Sequence, residues 1–287
     1  MTELKLIEAI EHFAAITKNC TDDDLEIEWQ WRAYNEGLRF AFLRTYEELR
    51  QLAATLISQR STGGKSIHTA QRALAQYHAA YRQFQAVMLT VDDEHFDVPP
   101  GKNEWSLRRT IGHIIAAERE FFARIEFAVQ QHRQGVEETS EMSSAEVEEF
   151  VGPFADFERN MNRLSMAGVM AIYDTLHKRV LRELADIHAF ELEAPSLWWE
   201  GIPLSVEFRL HRLDSHLRQH TLQIEKTLLA LTEPPCEAYQ LLKLVYAALA
   251  DVEGVIIGDW LLGQREQQEL AASIQQRAEA IKIILKG

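Results

Sequence analysis

A chain of 287 residues in which 46% of side chains are hydrophobic can bury a sizeable core, which excludes global disorder. The 30 Lys and Arg against 44 Asp and Glu leave a formal charge of −14. That balance argues against nucleic acid or an anionic membrane as a partner, since both demand clustered cations.

Only 7 prolines and 13 glycines argue against a loop-rich all-β protein. Apolar residues recur with the helical period almost everywhere, and sustained period-2 alternation does not. The spacing predicts a short amphipathic helix over Glu3 to Lys18, with Leu4, Ile7, Ile10 and Phe13 inward. Asp22, Asp23 and Asp24 then offer cap and first-turn carboxylates to a long helix from near Leu25 to Ser58. Along it Leu38, Phe42, Thr45, Leu49, Leu52 and Leu56 alternate steps of four and three, a packing seam on one face of a helix that would be about 50 Å long at the helical rise. The stretch Ser61 to Ser66 is a linker. Its Gly64-Lys65-Ser66 is not a phosphate loop, because Gln59 stands where the earlier glycine is required and no strand precedes it.

A helix follows from about Thr69 to Thr90, then a loop from Val91 to Asn103. Ser106 caps the next helix, which reaches about Gln131 and carries Leu107, Ile111, Ile114, Ile115, Phe121, Phe122 and Ile125. The acidic stretch Val136 to Phe150 reads as a solvated connection, with Ser143 and Glu146 spaced as a capping box. Gly152-Pro153 ends it. Another helix spans about Ala155 to Ala189, with an interruption expected near Gly168. A loop bearing Pro195, Trp198, Trp199, Gly201 and Pro203 leads to Ser205, which opens a helix to about Leu231. The two tryptophans read as packing or loop anchors. Two further helices fill Glu237 to Lys286. The central unit is internally repetitive: each half runs helix, proline loop, Trp, Ser cap and His-bearing helix.

The compartment follows by exclusion. Met1 to Asn19 is charged throughout and has no apolar run of the signal-peptide kind. No apolar stretch is long enough to span a membrane. Cys20 and Cys236 are far apart and make no CxxC pair or disulfide framework. The cytoplasm is the expected location.

Chemistry concentrates in one place. His216 and His220 are four residues apart, so on a helix both imidazoles reach one ion. Among 11 histidines such a pair is expected by chance often enough that spacing alone decides nothing. The apolar stripe of Leu210, Leu213, Leu217, Ile224, Leu228 and Leu231 puts His220 about 50° and His216 about 90° from its centre, on one flank. A third ligand must come from another helix. His113 is the candidate, although its phase lies toward the polar side of its own helix. Glu118 falls within an apolar stripe, as either a general base or partner of a ligating His, or a structural salt bridge to an arginine of a neighbouring helix. His12, His68, His78, His95, His132, His177, His188 and His211 have no partner at ligand spacing and read as surface or helix-boundary residues. No serine or cysteine sits in a nucleophile motif.

The run Asn103-Glu104-Trp105-Ser106 leading to Ile111-Gly112-His113-Ile114, with Glu118 after it, resembles the second-helix signature of the DinB/YfiT-like superfamily. The run His216-Leu217-Arg218-Gln219-His220 resembles the fourth-helix His-x3-His signature. The resemblance covers about Ile67 to Thr232 and neither end of the chain. It implies an all-α protein built on a DinB-like four-helix bundle, with a divalent metal, usually zinc or nickel, on His113, His216 and His220. Three imidazoles leave a coordination position open to water, substrate or thiol.

The expected organisation is a helical extension over 1–60, the bundle over 67–232 and a second helical extension over 236–287. The extensions either pack together or form a homodimer interface. The expected function is a divalent-metal-dependent hydrolase or low-molecular-weight-thiol S-transferase, acting on a small molecule and not on nucleic acid or membrane. The alternative is a non-catalytic bundle with a structural metal or a partner-binding role.

Overall fold

A computed structural model describes residues 5–136 and 139–286. Leu4 of the first predicted helix, and Glu137 and Glu138 of the acidic stretch, lie outside the described residues. The fold is all-α: eleven α-helices, a single 3-10 turn at Asp24–Glu26 and two small two-stranded sheets make up the described elements. In chain order these are α1 (Leu6–Thr17), β1 (Glu28–Trp31), β2 (Tyr34–Gly37), α2 (Arg39–Thr62), α3 (Thr69–Met88), α4 (Asp93–Phe96) and α5 (Leu107–Arg133). There follow α6 (Ser144–Val151), α7 (Phe154–Arg163), α8 (Met166–Leu184), β3 (Pro195–Leu197), β4 (Pro203–Ser205), α9 (Val206–Leu231), α10 (Glu237–Ile256) and α11 (Gln264–Ile284). No helix among the described residues is long and apolar enough to cross a membrane.

The chain divides into two compact units, one of residues 1–66, 81–90 and 233–287, the other of 67–80 and 91–232. In the first, α2 packs on α10 and α1 on α11. The seam residues Leu38, Phe42, Leu49, Leu52 and Leu56 are buried in its core with Ile10, Phe13, Leu242, Val245, Leu249 and Ile274. Arg277 of α11 is buried and donates to Thr45 Oγ1 at 2.6 Å and Glu48 Oε2 at 2.7 Å, so its charge is paired inside that core.

The long helix expected from Leu25 is shorter than predicted. Residues Glu28 to Gly37 form an antiparallel hairpin, and α2 starts at Arg39, giving a helix of about 36 Å. The physical cause is local. Trp29 and Trp31 alternate with Glu28 and Gln30, and a two-residue turn reverses the chain at Arg32, which adopts a left-handed φ of 55°. Arg44 then ties the hairpin to α2: it pairs with Glu36, and its guanidinium lies 4.7 Å from the centre of the Trp31 ring.

In the second unit α5 and α9 are the principal packed pair, with α8 against α5. The caps are those the sequence offers. Ser106 Oγ accepts from Arg109 N, Ser143 and Glu146 complete a capping box, and Ser205 Oγ accepts from Phe208 N. The predicted apolar stripes of α5 and α9 are buried, among them Ile111, Ile114, Phe122, Ile125, Leu213, Leu217 and Ile224. The interruption expected near Gly168 falls slightly earlier. Helix α7 ends at Arg163 and α8 begins after Ser165, whose Oγ accepts from Gly168 N. Arg108 fixes the break by donating to the carbonyls of Met161 and Leu164 at 2.7 and 2.6 Å.

The Trp-bearing loop is the hairpin β3–β4, pairing Pro195 with Ser205 and Leu197 with Pro203. Buried Arg209 of α9 holds it. Its guanidinium donates to the carbonyls of Ser196 and Ile202, pairs with Glu200 and lies 4.1 Å from the centre of the Trp198 ring. Trp198 is buried, and its indole N–H donates to Ser196 Oγ at 2.8 Å. It stacks on Phe121 of α5 with ring centres 5.2 Å apart. This packing carries Trp199 to the mouth of the cavity described next.

Candidate metal centre

Helices α5 and α9 bring His113, His216 and His220 together. One ring nitrogen from each lies within 4.8 Å of the others. The Nε2 atoms of His113 and His216 are 3.2 Å apart. Two ligands each 2.0–2.1 Å from a shared ion are separated by 3.2 Å at an angle of about 100°, close to tetrahedral. His220 Nδ1 donates to Gln223 Oε1 at 2.9 Å, which fixes its tautomer and leaves the Nε2 lone pair for a ligand. His216 and His220 are 3% and 6% exposed, and His113 is the most open of the three.

The electrostatics favour the neutral form of His216 and His113. Burial pushes His216 down to about 3, helped by the nearby His220, His113 and Arg212. Burial also lowers His113, with His220 adding to the effect. Neutral imidazoles keep their lone pairs at pH 7, so a metal need not displace protons to bind them. One feature costs energy: His216 Nδ1 is buried without a hydrogen-bond partner among the described residues. The rest of the donor set fits a divalent transition-metal ion, for which imidazole is a suitable ligand.

A cavity of about 430 Å³ opens onto the three rings. Its walls include Glu120 and Phe121 from α5, Trp199 from the hairpin, and Arg212 and Gln219 from α9. Edge-on contacts hold two of the rings: Trp105 against His113 with centres 5.3 Å apart, and Phe121 against His216 at 5.2 Å.

The DinB superfamily model matches residues 76–224, slightly more than half of the chain. The chain belongs to the DinB superfamily. No curated protein and no solved structure matches it. The matched segment of this DinB chain contains all three histidines and most of the second unit.

The sequence reading missed part of the cavity wall. Glu120 lies seven residues after His113, two turns along the same face of α5, and Arg212 lies four before His216. Those spacings were the available signal. Two other expectations need correction. Glu118 makes no salt bridge to an arginine among the described residues. It is fully buried and accepts from Tyr77 Oη of α3 at 2.5 Å and Tyr173 Oη of α8 at 2.8 Å. Burial pushes its carboxyl up to about 8, with the tyrosine hydroxyls acting in the opposite direction. Nor are His78 and His177 boundary residues. Both are buried, and His78 Nδ1 lies 2.9 Å from His177 Nε2. The contact joins α3 to α8, whose sequence separation of 99 hides it from local pattern.

Proposed function

We propose that His113, His216 and His220 hold one divalent ion, zinc or nickel, and that the protein is a metal-dependent enzyme, a hydrolase or a low-molecular-weight-thiol S-transferase. The observation that carries this reading is the convergence of three imidazole nitrogens on the wall of an open cavity. A structural ion is closed off by a fourth protein ligand. Among the described residues the group consists of three histidines and no fourth ligand, and the cavity faces the remaining side.

When bound, such an ion supplies Lewis acidity and lowers the pKa of a water or thiol that meets it. The chain's own residues do the rest. The three histidines come from two packed helices and therefore hold the ion from one side. Gln223 orients His220 through its Nδ1–H. Among the described residues Glu120 is the one carboxylate lining the cavity, and it would accept the proton that a water or thiol gives up there. Phe121 and Trp199 form the adjoining apolar wall. We assign this chemistry to the segment 67–232, with 1–60 and 236–287 as helical extensions.

The test is the metal content of protein purified from metal-replete cells, alongside His220→Ala. About one ion per chain is expected in the native protein. The variant should lose it while keeping its helical circular dichroism. Native protein free of metal, or a variant that retains it, would overturn the assignment. With metal established, release of product from thiol-reactive electrophiles with and without added thiol separates the transferase from the hydrolase.

A further inference from the structure

The histidine cavity is the middle of a longer depression that follows α9. It shares Trp199 and Arg212 with a second cavity of about 500 Å³, and His220 with a third of about 380 Å³ on the opposite side. The two arms differ in chemistry. The third is walled by Asn103, Glu104, Trp105, Gln223, Lys226 and Thr227, and so carries one aromatic face among hydrogen-bonding side chains. The second is walled by Trp198, Trp199, Leu204 and Phe208, with the Glu200–Arg209 pair, His211 and Ser215 beside them and Arg212 shared with the histidine cavity.

Two observations define what the second arm would hold. Trp199 is 55% exposed and Phe208 59% exposed, so large aromatic faces are left in water at the rim of a concave site. Phe121 stacks on both tryptophans, with centres 5.2 Å from Trp198 and 6.1 Å from Trp199 at interplanar angles of 14° and 27°, while the two indoles are tilted 37° to each other. The charge is equally specific. Arg209 in this wall is spent on Glu200 and two backbone carbonyls. Arg212 has no carboxylate partner among the described residues, and its guanidinium lies 5.6 Å from the centre of the Phe121 ring. It stands one helical turn before His216 on the same face.

We propose that this arm binds a small amphipathic carboxylate as substrate, its flat apolar body on Trp199 and Phe208 and its carboxylate on Arg212. A guanidinium fork matches a carboxylate in shape and charge, and an arginine already set against an aromatic ring loses little freedom on binding. Arg212 is common to the apolar arm and the histidine cavity, so a carboxylate held there sets the rest of the molecule within reach of the three imidazoles. The proposal rests on the metal-enzyme reading for what happens after binding, but not for binding itself.

The experiment is calorimetric titration of the full chain with naphthalene-2-carboxylate and with its neutral analogue, 2-naphthalenemethanol. The carboxylate is expected to bind about tenfold tighter, from a charge-assisted pair with Arg212. Arg212→Gln should abolish the preference while leaving weak binding of the alcohol, and Arg212→Lys should keep part of it. Trp199→Ala should weaken both ligands. His220→Ala, or native protein stripped with a chelator, should keep the preference, which separates failure of the metal assignment from failure of this one. Equal affinity for the two probes, binding of neither, a preference that survives Arg212→Gln, or one that vanishes with the metal would overturn the proposal.

Discussion

Replacing Glu118 by Gln should change how the stability of the protein depends on pH. The carboxyl has an ordinary value of 4.5 and stands at about 8 in the fold, because it is fully buried. A raised native pKa means that the folded state holds its proton longer than the unfolded state. The stabilisation is therefore complete below pH 4.5 and is lost as the pH rises through about 8. At 1.36 kcal/mol per unit the whole window is worth about 5 kcal/mol, of which roughly 3 is already lost at pH 7. A glutamine does not titrate. Its amide can accept from one tyrosine hydroxyl and donate to the other, so the contacts with Tyr77 and Tyr173 survive. The free energy of unfolding, variant minus native, should accordingly rise by about 1.4 kcal/mol per pH unit between roughly pH 5 and 7.5. Urea unfolding at half-unit steps measures it, with tryptophan fluorescence and far-ultraviolet circular dichroism followed together to establish a single transition. A difference that stays constant across this range would refute the buried, proton-holding carboxyl.

Gln223→Leu removes the acceptor for His220 Nδ1–H and should weaken metal binding by about 10- to 100-fold in competition with a chromogenic chelator, without changing the fold. Glu120→Gln should lower turnover by about 10²- to 10⁴-fold while leaving metal content intact, and unchanged turnover would remove Glu120 from the mechanism. Gly263 has a φ of +61°, and a Cβ there would run into Leu56, so Gly263→Ala should destabilise the protein by about 2–4 kcal/mol in thermal unfolding. Ser106→Ala removes the acceptor at the start of the His113 helix and should cost about 1 kcal/mol by the same measurement.

The parts of this fold that were legible in the sequence are those decided within one helix. Ser106, Ser143 and Ser205 announced their caps, and the seam from Leu38 to Leu56 announced a buried face. The hairpin at Trp29 and Trp31 was not legible as such, since four alternating residues give too short a period to stand out. The same limit applied to β3 and β4, at three residues each. Glu118 could be read as buried from its phase in α5, but its partners come from α3 and α8. A helical wheel therefore supplied the problem of a buried carboxyl and not the two tyrosines that solve it.

The histidine site shows why family pattern and helix phase gave different answers for His113. Phase measures a residue against the apolar stripe of its own helix, and His113 lies off that stripe. Helix α9 packs along α5 so that its own flank, bearing His216 and His220, meets the flank bearing His113. A site made of two flanks is polar by either helix taken alone and partly buried only when the two are combined. The same geometry accounts for the chemistry. His216 on its flank is desolvated enough to stay neutral, pushed down to about 3, and the three rings remain open to a cavity on the side neither helix covers. Residues one or two turns along those flanks, Glu120 on α5 and Arg212 on α9, then line the cavity beside them. Helical repetition thus places on one cavity wall both the three rings that could hold an ion and the charged groups beside them.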